Sequence, residues 1–152
     1  MKSPASAADD RSVSRLSSRT LKAGLAYFAL VFGAGFVLGS IRVPLLVPRF
    51  GERVAELVEM PIMFVLIVAS ARFIVRRFSL PGDTAARLGA GFLALALLLA
   101  AEVLLAVALQ ERTLGEYVAS RDPVSGTVYL AMLALFAVMP LVIARVGSVS
   151  HG

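Results

Sequence analysis

Three glutamates, Glu52, Glu56 and Glu59, stand at positions i, i+4 and i+7 within "IRVPLLVPRFGERVAELVEMP", residues 41–61. On a helix that spacing puts all three on one face. The same stretch holds Arg42, Arg49 and Arg53, although the chain on either side is almost entirely apolar. One further acid, Glu102, is the only charge between Leu88 and Leu109. Carboxylates in apolar surroundings have two uses. Paired with a guanidinium they fasten helices together. Where one of them keeps a proton, the site can exchange that proton or take up a cation.

Other chemistries lack their residues. The chain has no cysteine, which removes disulfides, thiol nucleophiles and iron–sulfur ligation. Its one histidine is His151, next to the last residue, so a haem held by histidines is not expected. No nucleophile–base pair, phosphate loop or metal-ligand spacing occurs. Two deep carboxylates are too few hard ligands for a dedicated Ca²⁺ site. We therefore expect no enzyme, no catalytic residue, no metal site and no cofactor.

The elements that position these acids follow from composition. Of the 152 residues, 59% are hydrophobic and 16% charged, against roughly 45–50% and 25% in soluble domains. The apolar residues fall into four blocks: 23–41, 54–71, 88–109 and 124–144. About 20 such residues cross the hydrocarbon core of a bilayer, and three of the blocks carry no polar face for a water-soluble bundle to expose. The expected fold is all-α, a polytopic membrane protein with four transmembrane helices at about 22–42, 54–76, 86–109 and 124–145. Residues 1–21 read as a flexible basic tail, 22–146 as the transmembrane domain and 147–152 as a short C-terminal tail. The first block is longer than the roughly 7–15 residues of a signal-peptide core, so an uncleaved first helix is expected.

The net charge of +5 orients the chain and calls for no nucleic acid. Ten Lys/Arg belong to the N-terminal tail, the loop between the second and third helices, and Arg145; five belong to the opposite side. Cytoplasmic segments are the Lys/Arg-rich ones, so both termini are expected in the cytoplasm. Thirteen of the fifteen basic residues are arginine, a composition typical of a high-GC bacterial genome.

Local signals set the connections. Pro44 and Pro48 should end the first helix near Ile41 and leave "VPLLVPRFG" as an apolar connection, with the second helix starting near Gly51. Pro81–Gly82 marks a turn. Asp83 is placed to cap the third helix, and Asp122 to cap the fourth with Pro123 in its first turn. "ERTLGEYVAS" reads as a short surface helix, and Pro61 and Pro140 as kinks. Gly33, Gly35 and Gly39 form a small-residue pattern that lets another helix approach closely.

Depth then gathers the acids. At 1.5 Å per residue, Glu59 lies about 8 Å below Val54 and Glu102 roughly 10 Å below Leu109. The expected site is an intramembrane polar cluster of Arg42, Glu56, Glu59 and Glu102 on the outer side, with Arg42 or Glu59 as the partner of Glu102. The stretches "GSIRVPLLVPRFGERVAELVEMPIM" and "EYVASRDPVSGTVYLAMLALFAVMP" resemble a group of small four-helix bacterial inner-membrane proteins of unknown function. That resemblance covers residues 22–146 and implies the same fold and inner-membrane location, with no activity to carry over. The expected function is a non-enzymatic packing or interaction protein, or a subunit of a membrane complex. Its partners would be the lipid bilayer and either another membrane protein or a second copy of the chain. The alternative is a small proton- or cation-coupled transporter using Glu59 and Glu102.

Overall fold

The computed structural model describes residues 4–80, 83–110 and 123–149, with side chains for 18–80, 83–108 and 123–146. Every described element is helical: α1 (Pro4–Leu45), α2 (Val47–Arg77), α3 (Thr84–Gln110) and α4 (Pro123–Val149). All four are long and apolar enough to cross a membrane. Within their apolar stretches only 17% to 28% of residues are buried against other helices. Val37, Val65, Phe92 and Leu130, one on each helix, face outward. Water would penalise so much exposed apolar surface, whereas lipid solvates it and the helical backbone meets its own hydrogen bonds. The chain has the structure of a multi-pass membrane protein.

Around the bundle, α1 packs against α2 and α3, and α4 packs against the same two. Gly24 lies against Ala90 and Leu93, and Gly35 against Met63. Hence α1 runs parallel to α3 and antiparallel to α2. The pairings Gly91–Ala137 and Glu102–Tyr129 make α3 and α4 antiparallel.

The core fills one half of the bundle, the half nearer the chain's ends. Ala23, Tyr27 and Val31 of α1, and Ala90, Ala94 and Leu98 of α3, recur every fourth residue and form two buried stripes. Ile67, Ala71 and Ile74 of α2, with Phe136 and Met139 of α4, complete it. Here glycines decide how closely helices approach. A Cβ on Gly91 would stand 1.9 Å from the carbonyl oxygen of Ala137, and one on Gly24 would stand 3.0 Å from that of Ala90. One Cα hydrogen of Gly91 occupies that direction and points at the Ala137 oxygen, a weak Cα–H···O contact.

Tyr27 spans the bundle diagonally, stacking on Phe136 at 4.5 Å between ring centroids. Its hydroxyl donates to the Phe136 carbonyl at 3.1 Å. That carbonyl is available because its helical donor would be the N–H of residue 140, which is proline. Pro140 is fully buried, so water cannot fill the gap.

The two hairpins are joined beneath this core. Ser79 takes a left-handed φ of 46°, the Ser79 N–H donates to Arg76 O, and the Leu80 N–H donates to Val75 O. This is a left-handed C-terminal cap, and it folds Leu80 back into the core. Asp83 caps α3, its carboxylate accepting from the Ala85 N–H at 3.2 Å.

Several sequence expectations need correction. α1 is helical from Pro4, so the backbone read as a flexible tail over 1–21 is helical from there on. Between Pro4 and Gly24 nothing breaks a helix, and proline in a first turn forfeits no hydrogen bond. At its other end α1 continues through Pro44 to Leu45. A proline so near the end frees only the Ser40 carbonyl, and Leu46 N–H still donates to Arg42 O at 2.8 Å. The connection is therefore a single residue followed by a helical turn, and the break falls at Gly51, with φ 78° and ψ 163°. Pro61 and Pro140 both lie inside helices, while the non-helical backbone of α2 is at Gly51. The Pro81–Gly82 turn, the Asp122 cap and the helix over "ERTLGEYVAS" lie outside the described residues.

Candidate functional site

The half of the bundle away from the termini packs differently. There the four helices line a half-open cavity of about 320 Å³. α1 contributes Gly35, Gly39 and Arg42 to its walls, α2 contributes Glu56, Glu59, Met60 and Met63, α3 contributes Glu102, and α4 contributes Tyr129 and Met132. Leu98 and Phe136 form its floor, where the core begins. All four residues of the expected cluster line this one space. Glu52, one turn before Glu56, is exposed instead.

Each charged group is placed by a local feature of its helix. Arg42 stands in the last turn of α1, where a cation meets the negative end of the helix dipole. The break at Gly51 restarts α2, and Glu56 and Glu59, three residues apart, then share the face turned toward Arg42. Arg42 Nη1 lies 3.6 Å from Glu56 Oε1, and Arg42 Nε lies 3.2 Å from Glu59 Oε2. The second approach is close, yet its angle makes no hydrogen bond, and both atoms are shielded without another partner. We read it as an attraction between charges, weaker than an aligned two-pronged pair. The three side chains keep 22%, 21% and 15% of their surface exposed, so the pairing is only partly screened from the cavity.

Across the cavity, the Tyr129 hydroxyl donates to Glu102 Oε2 in a very short hydrogen bond. The hydrogen bond given to Glu102 therefore comes from α4, whereas Arg42 or Glu59 was expected as its partner. Arg42 pairs with the two acids of α2. Each of these contacts closes its own hairpin, α1–α2 by Arg42 and α3–α4 by Tyr129. The cavity lies between the two hairpins in this half of the bundle.

The expectation for Gly33, Gly35 and Gly39 also changes. A Cβ on Gly33 or Gly39 would meet nothing within 4 Å, and one on Gly35 would touch only Met63 at 3.4 Å. The close approaches belong to Gly24 and Gly91. Gly35 and Gly39 instead keep the α1 wall thin, and their missing side chains are part of the cavity's volume.

Sequence reasoning passed over Tyr129 and the three methionines. A hairpin of α3 and α4 about their connecting segment sets Glu102 against the second turn of α4, where Tyr129 supplies the donor and the Thr127 hydroxyl donates to Pro123 O instead. That register was the available signal. The methionines carry no sequence signal beyond apolarity.

Three carboxylates and one guanidinium thus face an otherwise apolar space. Among the described residues no three acids converge closely enough to hold a metal ion. The arrangement can store negative charge next to a cavity, hold a proton on one carboxyl group, or receive a cation. No protein-family model, curated protein or solved structure matches the chain.

Proposed function

We propose that the chain is a bacterial inner-membrane protein with both termini in the cytoplasm, and that it is not an enzyme. On this reading its cavity is the binding site of a small proton- or cation-coupled transporter that uses Glu59 and Glu102. One observation carries the proposal: carboxylates from both hairpins line one space, when side chains in a closed contact would serve packing better. Charges within a bilayer normally pair inside the bundle or line a pathway. Here three carboxylates and one guanidinium line the cavity, a balance that favours an incoming proton or cation. The exposed Arg72, Arg76, Arg77 and Arg145 stand at the end of the bundle that holds the termini, in accord with the proposed orientation.

A second reading, a packing or partner subunit, is favoured by the Arg42–Glu56 and Arg42–Glu59 pairs, which fasten α1 to α2. The two readings separate in liposomes. A transporter reconstituted alone carries protons against an imposed cation gradient, and both Glu59→Gln and Glu102→Gln abolish the flux. A partner subunit carries none and co-purifies with another membrane protein in mild detergent.

A further inference from the structure

We propose that the cavity binds a lipophilic organic cation, one positive charge on an apolar body, with the charge held between Glu59 and Glu102. This rests on the reading of the cavity as a binding site and adds the class of its occupant. Size comes first. About 320 Å³ lies at the lower end of the range for small-molecule sites, which suits a compact organic ion.

The walls come second. Phe32, Phe36 and Phe136 give the space aromatic faces, which attract cations as well as apolar groups. Met60, Met63 and Met132 are flexible and polarisable, and they adapt to bodies of different shape. A bare inorganic cation would have to shed its water against these walls and recover too few oxygen ligands in exchange.

Charge decides between the remaining occupants. The ionisable groups that face the cavity are Arg42 on α1, Glu56 and Glu59 on α2, Glu102 on α3 and Tyr129 on α4. The acids of the lining outnumber the guanidinium, a balance that disfavours an apolar anion and favours an apolar cation over a neutral body of the same shape. An apolar cation meets both demands. As it enters, it compensates the carboxylates on the two hairpins and displaces any proton held there.

The test is calorimetric titration of phenyltrimethylammonium, a compact cation with one aromatic ring, into the full chain in mild detergent. One ion per chain is expected to bind. Benzenesulfonate, of similar size and opposite charge, is expected not to bind, and choline, a cation without the aromatic body, to bind more than about tenfold more weakly. Glu59→Gln and Glu102→Gln should each weaken binding by more than about tenfold. Gly39→Leu guards against loss through misfolding. A Cβ there meets nothing within 4 Å, so the helix accepts leucine while the side chain fills the cavity. It should remove binding and leave the unfolding midpoint unchanged. Equal binding of benzenesulfonate, or unaltered binding in Gly39→Leu, overturns the proposal. Proton release followed in weak buffer separates the two levels of the reading. If sodium or potassium displaces protons from Glu59 and Glu102 while phenyltrimethylammonium does not bind, the substrate class fails and the transporter reading stands. If no cation displaces a proton, both fail.

Discussion

Removing the Tyr27 hydroxyl isolates the contact between α1 and α4. In Tyr27→Phe the ring stays stacked on Phe136, but the Phe136 carbonyl loses the donor 3.1 Å away. Its helical donor is absent because residue 140 is proline, and both Tyr27 and Pro140 are buried from any water. Interhelical hydrogen bonds in membranes average about 0.6 kcal/mol and reach about 1.7. A buried carbonyl left without a donor costs about 1–3 kcal/mol. We expect Tyr27→Phe to destabilise the bundle by about 1–2 kcal/mol, toward the top of the range for one such bond. Pro140→Ala restores an N–H at residue 140, which donates to the same carbonyl within α4. In that background Tyr27→Phe should cost less than about 0.5 kcal/mol, since the helix now satisfies the group. Comparing the loss within each background cancels the ring volume that Pro140→Ala also removes. Helicity followed during denaturation of the detergent-solubilised protein measures both losses. An equal loss in the two backgrounds would refute the assignment of the Tyr27 hydroxyl to an orphaned carbonyl.

Three further predictions concern the frame around the cavity. Gly91→Ala sets a methyl carbon against the Ala137 backbone and must push α3 from α4 by more than an ångström, at a cost of about 2–3 kcal/mol. Gly33→Ala has open space around it and should be neutral or stabilising by up to about 1 kcal/mol; denaturation of the two variants side by side checks this contrast. Ser79→Gly removes the strain of a left-handed residue and should raise stability by about 0.5–1 kcal/mol, readable as a higher unfolding midpoint. A reporter fused after His151 should behave as cytoplasmic, and one inserted near Ser120 as periplasmic.

Much of the frame was legible in the sequence because a bilayer imposes length. A span needs a long apolar run, and the four runs in the chain became the four helices. The break at Gly51 could be read from its surroundings, two prolines followed by a glycine. The depths of Glu59 and Glu102 followed from the helical rise alone, which is why their placement in one half of the bundle needed no coordinates. Facing was harder. Glycines occur on many faces of membrane helices, and only the neighbouring helix shows that Gly24 and Gly91 set the close approaches while Gly33 and Gly39 do not. Tyr129 sits near a helix end, where tyrosine is common at membrane interfaces, so only the register of the α3–α4 hairpin links it to Glu102. Pro140 could be read as a kink, but the carbonyl it leaves for Tyr27 appears only once α1 and α4 are brought together.

The most direct test of the central claim, that Glu59 and Glu102 exchange protons for a cation in the cavity, is infrared difference spectroscopy. Spectra of the purified chain are recorded with and without a bound cation. The account predicts a protonated-carboxyl band that disappears on cation binding and is reduced or lost in both Glu59→Gln and Glu102→Gln. A spectrum without such a band, or one that neither substitution alters, would contradict it.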